Sequence, residues 1–531
     1  MSVSHGSTCR GKGVLPQNLI QALEQMWTEA LAATTLTAVV MVVLKGVRRL
    51  GVAVIAHVLE ERDHELRAQE RRCPKCGGTM RRDKSRRKVT RMTLLGKVTY
   101  RRTSFCCRGC GHREFPLDEQ LSLKALLRGH SDEFAKDVVL FCTVMPFGKG
   151  CELFTRCYGF VVSTHLARAL TLAIGTRLYQ TEMERAKDLW DRRCQDPELF
   201  EPVPAALRRM NRHQRVYVMM DNSKVGLQEG KRGRGAPQLK TLRKLAQQAK
   251  RKAVRAAKRH QAGPTPEPTM PAEAEFAGEE GWKDVRALLI FREQDLAQTS
   301  KDRRAILHRR VLAHVGTQEE WLQLVHMAFH DEGVYTAHEV VVVADGGSGI
   351  WEMVDELLPV TSFRKVIEVL DWCHAAAHLW GVGRALKGCK TEEQRKTCIA
   401  WVTPLLDDIF DGKVANVLQR LRKLRPSSES ARDEVRKCIK YFTDHQERMR
   451  YSWFRKHGYL IGSGAVESIH NWVIQARCRL PGMRWSEAGV NAMLRLRCAW
   501  ASGRFDEEFA RAAQGGAPDQ GSSQRELSRA A

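Results

Sequence analysis

The sequence predicts an α/β protein, with a helical segment, a cysteine-rich basic module and a helix-turn-helix-like region ahead of its sheet. Three observations carry the prediction. The runs RVYVMMD, HEVVVVAD and KVIEVLD are short and rich in Val and Ile, and helical patterns separate them, as expected of buried strands in an open sheet. Two C-x-x-C pairs bracket a stretch that alternates like strands. Across 531 residues, 43% hydrophobic and 28% charged residues make a composition that builds cores. At about 100–200 residues per domain, the length suggests three or so units.

Residues 1–70 read as helical, from the apolar spacing of QNLIQALEQMW to the charged LEERDHELRAQERR. The longest apolar run, Ala30 to Leu44, is broken by Thr34, Thr35 and Thr37 and then meets Lys45, Arg48 and Arg49. It falls short of the roughly 18 apolar residues of a membrane span. It also starts late and lacks a small-residue cleavage site, so no signal peptide is expected. Residues 71–118 form the cysteine module. Residues 119–190 carry three helical patterns, SDEFAKDVVLFCTV, GCELFTRCYG and STHLARALTLAIGTRL. Gly159 ends the second and Ser163 caps the third, the outline of a helix-turn-helix or of ordinary helical connectors.

The sheet-forming region spans 205–378, with WKDVRALLIFRE as a further strand. It is interrupted by a basic insertion at 228–280, whose residues 231–260 hold twelve Lys and Arg and no acid. A Pro/Ala/Glu linker completes the insertion, which is either a DNA-contacting arm or a solvated loop. Residues 379–459 read as helical, 460–510 as further helices, and 511–531 as a low-complexity tail. No internal repeat is present.

Lys and Arg exceed Asp and Glu by 87 − 61 = 26, which favours a polyanionic partner, nucleic acid first. Most of the sixteen cysteines are scattered singly, a pattern of reducing compartments, so a cytoplasmic protein is expected and clustered cysteines read as metal ligands. Cys73, Cys76, Cys107 and Cys110 make two knuckles, each followed by glycine, that complete a tetrahedral structural zinc site. Cys106 and His112 compete as ligands, and redox dithiols are the alternative. The stretch LLGKVTYRRTSFCC supplies the strand pair of a zinc ribbon. Arg81, Arg82, Lys84, Arg86, Arg87, Lys88, Arg101 and Arg102 suit phosphate contacts or form a solvated basic face.

Asp221, Asp345 and Asp371 each stand where a strand-like run stops, the position of sites in open α/β sheets. Any one of them could simply cap the next helix. Together they predict a carboxylate cluster, which repels itself unless cations such as Mg²⁺ fill it. Glu467 follows the Gly462-Ser463-Gly464 turn in the first turn of a helix that continues to Arg477 and Arg479, with Arg484 beyond a Pro-Gly break. His374 and His378, four residues apart, share a helix face; His378 reads as a packed histidine. HExxH, GxSxG and a phosphate-binding glycine loop are absent.

These pieces, in this order, resemble the DDE-type transposases of bacterial insertion sequences, specifically the ISKra family and its ISLre-like relatives, from about Cys73 to Phe509. The strongest matches are CPKCGG with TLLGKVTYRRTSFCCRGCG, VVVADGGSGIWEMVDELLP with VIEVLDWCHAAAHLW, and GSGAVESIHNWVIQARCRLPGMRWSEAGVNAMLRLRCAWASGRFDEEF. The resemblance implies an RNase H-like catalytic domain with an all-helical insertion at 379–459. It implies a catalytic triad of Asp221, Asp345 and Glu467, with Asp371 and His374 as support. It departs from the pattern at DNSKVG, where relatives more often carry Asp-Gly, and in the length of the 228–280 insertion. The activity implied is cleavage and strand transfer of double-stranded DNA at element ends, using two Mg²⁺ ions with Mn²⁺ as a substitute and a structural Zn²⁺. A homo-oligomer on DNA, associated with the nucleoid and no membrane, would do the work. An RNase H-like nuclease without joining, an inactive DNA-binding regulator and an RNA-processing factor are the rival readings.

Overall fold

Apolar residues three and four apart make a helical hairpin of α1 (Gln17–Leu31) and α2 (Leu36–Arg67). The Thr35 hydroxyl caps α2 by accepting from the Ala38 amide at 3.1 Å. Gly46 lets the helices approach closely, since a Cβ there would lie 2.3 Å from Met26. The computed structural model describes residues 16–121, 127, 129–195, 215–227, 281–300, 303–347, 349–358, 365–481 and 483–514. Its described residues divide into two units, one through Ile174 with a return from Asp506, the other from Gly175 to Phe505. The basic insertion and the end of the tail lie outside the described residues.

In the first unit β1 (Met80–Arg82), β4 (Phe105–Cys107) and β5 (Arg113–Glu114) form a sheet in the order β1-β4-β5. Beside it β2 (Arg87–Thr93) and β3 (Gly96–Arg102) form a hairpin. The strand pair therefore begins earlier than LLGKVTYRRTSFCC suggests, because Arg87, Lys88 and Arg91 break the apolar alternation of β2. Val98 and Tyr100 of β3 and Leu117 of α3 (Pro116–Gln120) make a core, onto which Val52, Ile55, Ala56 and Leu59 of α2 pack. Asp63, buried in α2, fastens this contact: it accepts from the Thr103 amide at 2.7 Å, the Thr103 hydroxyl at 2.9 Å and Arg86 Nε at 3.0 Å.

The helices α4 (Asp132–Val144), α5 (Phe147–Tyr158) and α6 (Thr164–Gln195) follow. As the sequence suggests, Gly159 turns left-handed (φ 72°) to end α5, and the Ser163 hydroxyl caps α6 through the Leu166 amide at 3.2 Å. Phe134, Phe154 and Phe160 pack edge and face in their core.

The second unit holds a five-stranded mixed sheet in the order β10-β7-β6-β11-β12. Strands β6 (Arg215–Gly226), β7 (Trp282–Arg292) and β10 (Arg310–His314) are antiparallel neighbours, while β11 (Glu339–Ala344) and β12 (Lys365–Leu370) run parallel to β6. A separate hairpin joins β8 (Leu296–Ser300) to β9 (Arg303–Ile306). Val216–Met220 and Val340–Ala344 are at most 2% exposed, which explains their unbroken apolar runs.

Around the sheet stand α7 (Gln318–Asp331) and α8 (Ile350–Leu357). A helical stretch then runs through α9 (Trp372–Lys387), α10 (Glu392–Phe410), α11 (Val414–Arg422), α12 (Glu429–Asp444) and α13 (Tyr451–Lys456). Next come α14 (Gly464–Ile469), a π-helical segment (His470–Gln475) and α15 (Ala476–Cys478). Finally α16 (Glu487–Ala501) is tied to Val315, just past β10, by Asn491, and α17 (Phe505–Gln514) ends the described chain. No helix among the described residues is long and apolar enough to cross a membrane.

Candidate functional site

Parallel register brings the aspartates together. The last rung shared by β6, β11 and β12 is Met220–Ala344–Leu370. The next residue on each strand is an aspartate: Asp221, Asp345 and Asp371. Asp221 does not end its strand, as the sequence suggests it should. β6 continues to Gly226, its partner strand there being β7, and that two-stranded extension tolerates the polar Asn222, Ser223 and Lys224.

Helix α14 packs against β6 and β7 and adds Glu467. Donor atoms of Asp221, Asp345 and His374 lie within 4.8 Å of one another, as do those of Asp371, His374 and Glu467. His374 belongs to both groups, so five side chains adjoin.

Asp371 is the buried anchor of this arrangement. It caps α9 by accepting from the His374 amide at 2.9 Å, so the cap reading applies to it. It also lies 2.7 Å from His374 Nδ1 and accepts from the Ser463 amide at 2.5 Å. The Trp372 amide donates to Ile461 at 2.9 Å, so the turn that leads to Glu467 is held on both sides of Asp371. From α12, the Tyr441 hydroxyl donates to the Asp345 carbonyl. Gly346 (φ 76°) permits that approach, since a Cβ there would lie 2.9 Å from His445 and Leu370. His378 stacks on Tyr441 at 3.9 Å, in line with a packing role.

Electrostatics mark the same residues. Burial raises the Asp221 carboxyl, and nearby His470 and the Asn222 amide only partly offset it. Burial pushes Asp371 the same way, but the His374 side chain and the Ser463 amide outweigh it and hold that carboxyl below its usual value. The hydrogen bond to Asp371 raises His374 in turn. Half-buried carboxylates around a histidine, with Glu467 exposed, form a donor set for a hard divalent cation.

Sequence reasoning missed His470. The residue is 3% exposed, and its Nε2 stands 3.3 Å from Asp221 Oδ2. It opens the π-helical segment, a deviation frequent at functional sites. The signal was the three-residue spacing from Glu467, which puts both on one helix face. Arg477 needs correcting: it is fully buried, packed near Met483 and Trp485, and is not positioned to meet a phosphate. Arg479 and Arg484 are exposed, each 5.4 Å over the Trp282 ring.

The four cysteines converge in the first unit. Sγ atoms of Cys73 and Cys110, Cys76 and Cys107, and Cys76 and Cys110 are 3.4–3.5 Å apart. A tetrahedral site with metal–sulfur bonds of about 2.3 Å sets its sulfurs about 3.8 Å apart, so the cluster could hold a metal such as zinc. Each knuckle turns identically: the Gly77 amide donates to Cys73 at 2.8 Å and the Gly111 amide to Cys107 at 2.9 Å. Of the competing ligands, His112 faces Glu114 at 3.2 Å and Cys106 stands outside the cluster.

Around it, Arg81, Arg82, Arg87, Lys88 and Arg101 are exposed. Arg86 is paired with Asp63, and Arg102 with Asp118, its guanidinium 3.9 Å over Phe115. Across β2 and β3, Lys88 faces Arg101 and Arg87 faces Arg102.

The class defined by fold and site is a mixed α/β protein with a four-cysteine cluster and an acidic cluster at the ends of parallel strands. No protein-family model matches the chain, and a search of curated proteins finds no match.

Proposed function

We propose that the protein is a DDE-type transposase that cleaves and rejoins double-stranded DNA at the ends of an insertion sequence. The observation that carries the proposal is the rung of Asp221, Asp345 and Asp371, joined by Glu467 and His374. The sheet supports the RNase H-like reading: an antiparallel meander lies on one side of β6 and two parallel strands on the other. Helices from Glu392 to Lys456 support the helical insertion.

In this reading Asp221, Asp345 and Glu467 hold Mg²⁺, with Mn²⁺ as a substitute. A metal held there would supply activation of a water or 3′-hydroxyl and charge stabilisation at the leaving oxygen. Asp371 acts as a positioning residue, orienting His374 and holding the turn before Glu467. His374, oriented by Asp371, is the group that in this reading would contact a phosphate oxygen. His470 packs against Asp221, its Nε2 3.3 Å from Oδ2. The cysteine module is a zinc ribbon whose exposed basic strands, with α4 to α6 and Arg479 and Arg484, bind the DNA ends. The protein works on the nucleoid in the cytoplasm.

The test is a nicking and joining assay on DNA carrying the sequences that flank the gene, with Mg²⁺ or Mn²⁺, wild type beside Glu467→Gln. Metal-dependent cleavage at a fixed position, followed by joining of the 3′ ends and lost in the variant, is expected. Cleavage without joining would make the protein a nuclease. Specific binding with no cleavage would make it a regulator.

A further inference from the structure

Eleven of the fifteen large hydrophobic side chains exposed among the described residues lie on α1 and α2. Trp27 is 68% exposed, Leu31 71% and Leu36 80%. A helix apolar on every side, as α2 is from Val39 to Leu44, belongs in a core. One face of this hairpin already packs on β3 and α3. The other, on the order of 1,000 Å² of apolar side chain, exceeds the largest patch of a typical monomer and reaches the roughly 800 Å² per partner of a stable interface.

The spacing of the exposed stripe identifies its occupant. Leu36, Val40, Val43, Val47, Gly51, Val54 and Val58 are separated by 4, 3, 4, 4, 3 and 4 residues, a series that reads the same in both directions about Val47. Gly51 lies under Leu95 from the β2–β3 turn, and a Cβ there would come within 2.6 Å of it, so Leu95 fills the one gap in the stripe. A two-fold interface is self-complementary, residue i meeting j while j meets i. A stripe symmetric about its midpoint satisfies that for antiparallel helices.

Neither terminal segment outside the described residues supplies an alternative cover. Residues 1–15 contain only Met1, Val3, Val14 and Leu15 as large aliphatic side chains, and residues 515–531 only Leu527.

We infer that α1 and α2 are the dimerisation element of this protein: two hairpins pack antiparallel through α2, with the two-fold axis at Val47, into a four-helix bundle. This stands whether or not the DNA-cleaving proposal does.

The test is light scattering on the full chain, beside Val40→Glu/Val54→Glu, which puts two charges from each copy into the interface. Wild type is expected at twice 60.3 kDa and the variant at 60.3 kDa, with an unchanged far-ultraviolet helix signal. In an oxidative cross-linking series against wild type, Val47→Cys should add a covalent dimer. Leu36→Cys should not, since its copies would stand about 33 Å apart. A monomeric wild type at tens of micromolar, a variant that remains dimeric, or cross-linking of Leu36→Cys equal to that of Val47→Cys would each overturn the inference. So would a monomer that instead binds anionic vesicles through this face.

Discussion

The cysteine cluster and the carboxylate rung each gather four or more donor groups, and they do so in opposite ways. The cysteines come from residues 73–110, on two knuckles whose geometry is set within each turn. The carboxylates come from residues 221–467 and meet only because the parallel pairing of three strands stops on one rung and a distant turn is pinned to Asp371. Four thiolates close a metal's coordination, which suits a structural site. The carboxylates leave Glu467 exposed and His374 about one-third exposed, which suits a site that admits a substrate. A closed site should therefore matter first to folding, and an open one first to chemistry.

Breaking that contrast at its strongest point means removing a thiolate. Cys107→Ser should abolish metal binding and loosen the module, because structural zinc contributes on the order of 10–16 kcal/mol in small zinc-binding peptides. Metal content and proteolysis between β1 and β5 read this out. A variant that keeps one zinc per chain and resists protease would refute the closed-site reading.

Within the carboxylate site, Asp371 should behave unlike its neighbours. Asp371 is fully buried, and removing it leaves the His374 and Ser463 amides without their acceptor, at about 1–3 kcal/mol each. Asp371→Ala should therefore lower the stability of the second unit by about that amount in urea denaturation, whereas Asp221→Asn should raise it slightly without metal, since burial disfavours the Asp221 charge. Equal destabilisation by both would erase the distinction between anchor and ligand.

The smallest effect concerns pH. His374 is raised above its ordinary 6.5, so its stabilisation is complete below that value and is lost as pH rises through the higher folded one. Asp371 is held below 3.8, so its share is lost only as pH falls through that lower value. The stability gap between wild type and His374→Gln should be widest below the ordinary histidine value of 6.5 and narrow as pH rises through the higher folded one. A gap independent of pH would show that the ion pair contributes nothing.

The contrast also explains what was legible in the sequence. Cys73, Cys76, Cys107 and Cys110 could be read directly, because C-x-x-C followed by glycine encodes the turn that aims two thiols. The strands were legible as apolar runs, and the aspartates as the residues after them. The extension of β6 past Asp221 was not, since a polar two-stranded ribbon has the composition of a turn. His470 escaped because the π-helical segment and the strand it faces meet only in the fold. Burial of Arg477 was hidden for the same reason: charge and spacing place an arginine on a helix but do not say which neighbours cover it. The apolar α1–α2 face was visible as a run too short for a membrane, and only its exposure shows that it needs a partner.

The central claim is that the aspartate rung is a metal-dependent DNA-cleaving centre. Asp345→Asn tests it most directly, with DNA binding and cleavage measured side by side. The account predicts binding within about twofold of wild type and cleavage reduced at least a thousandfold, roughly 4 kcal/mol of lost transition-state stabilisation. Cleavage by the variant at the wild-type rate would contradict it.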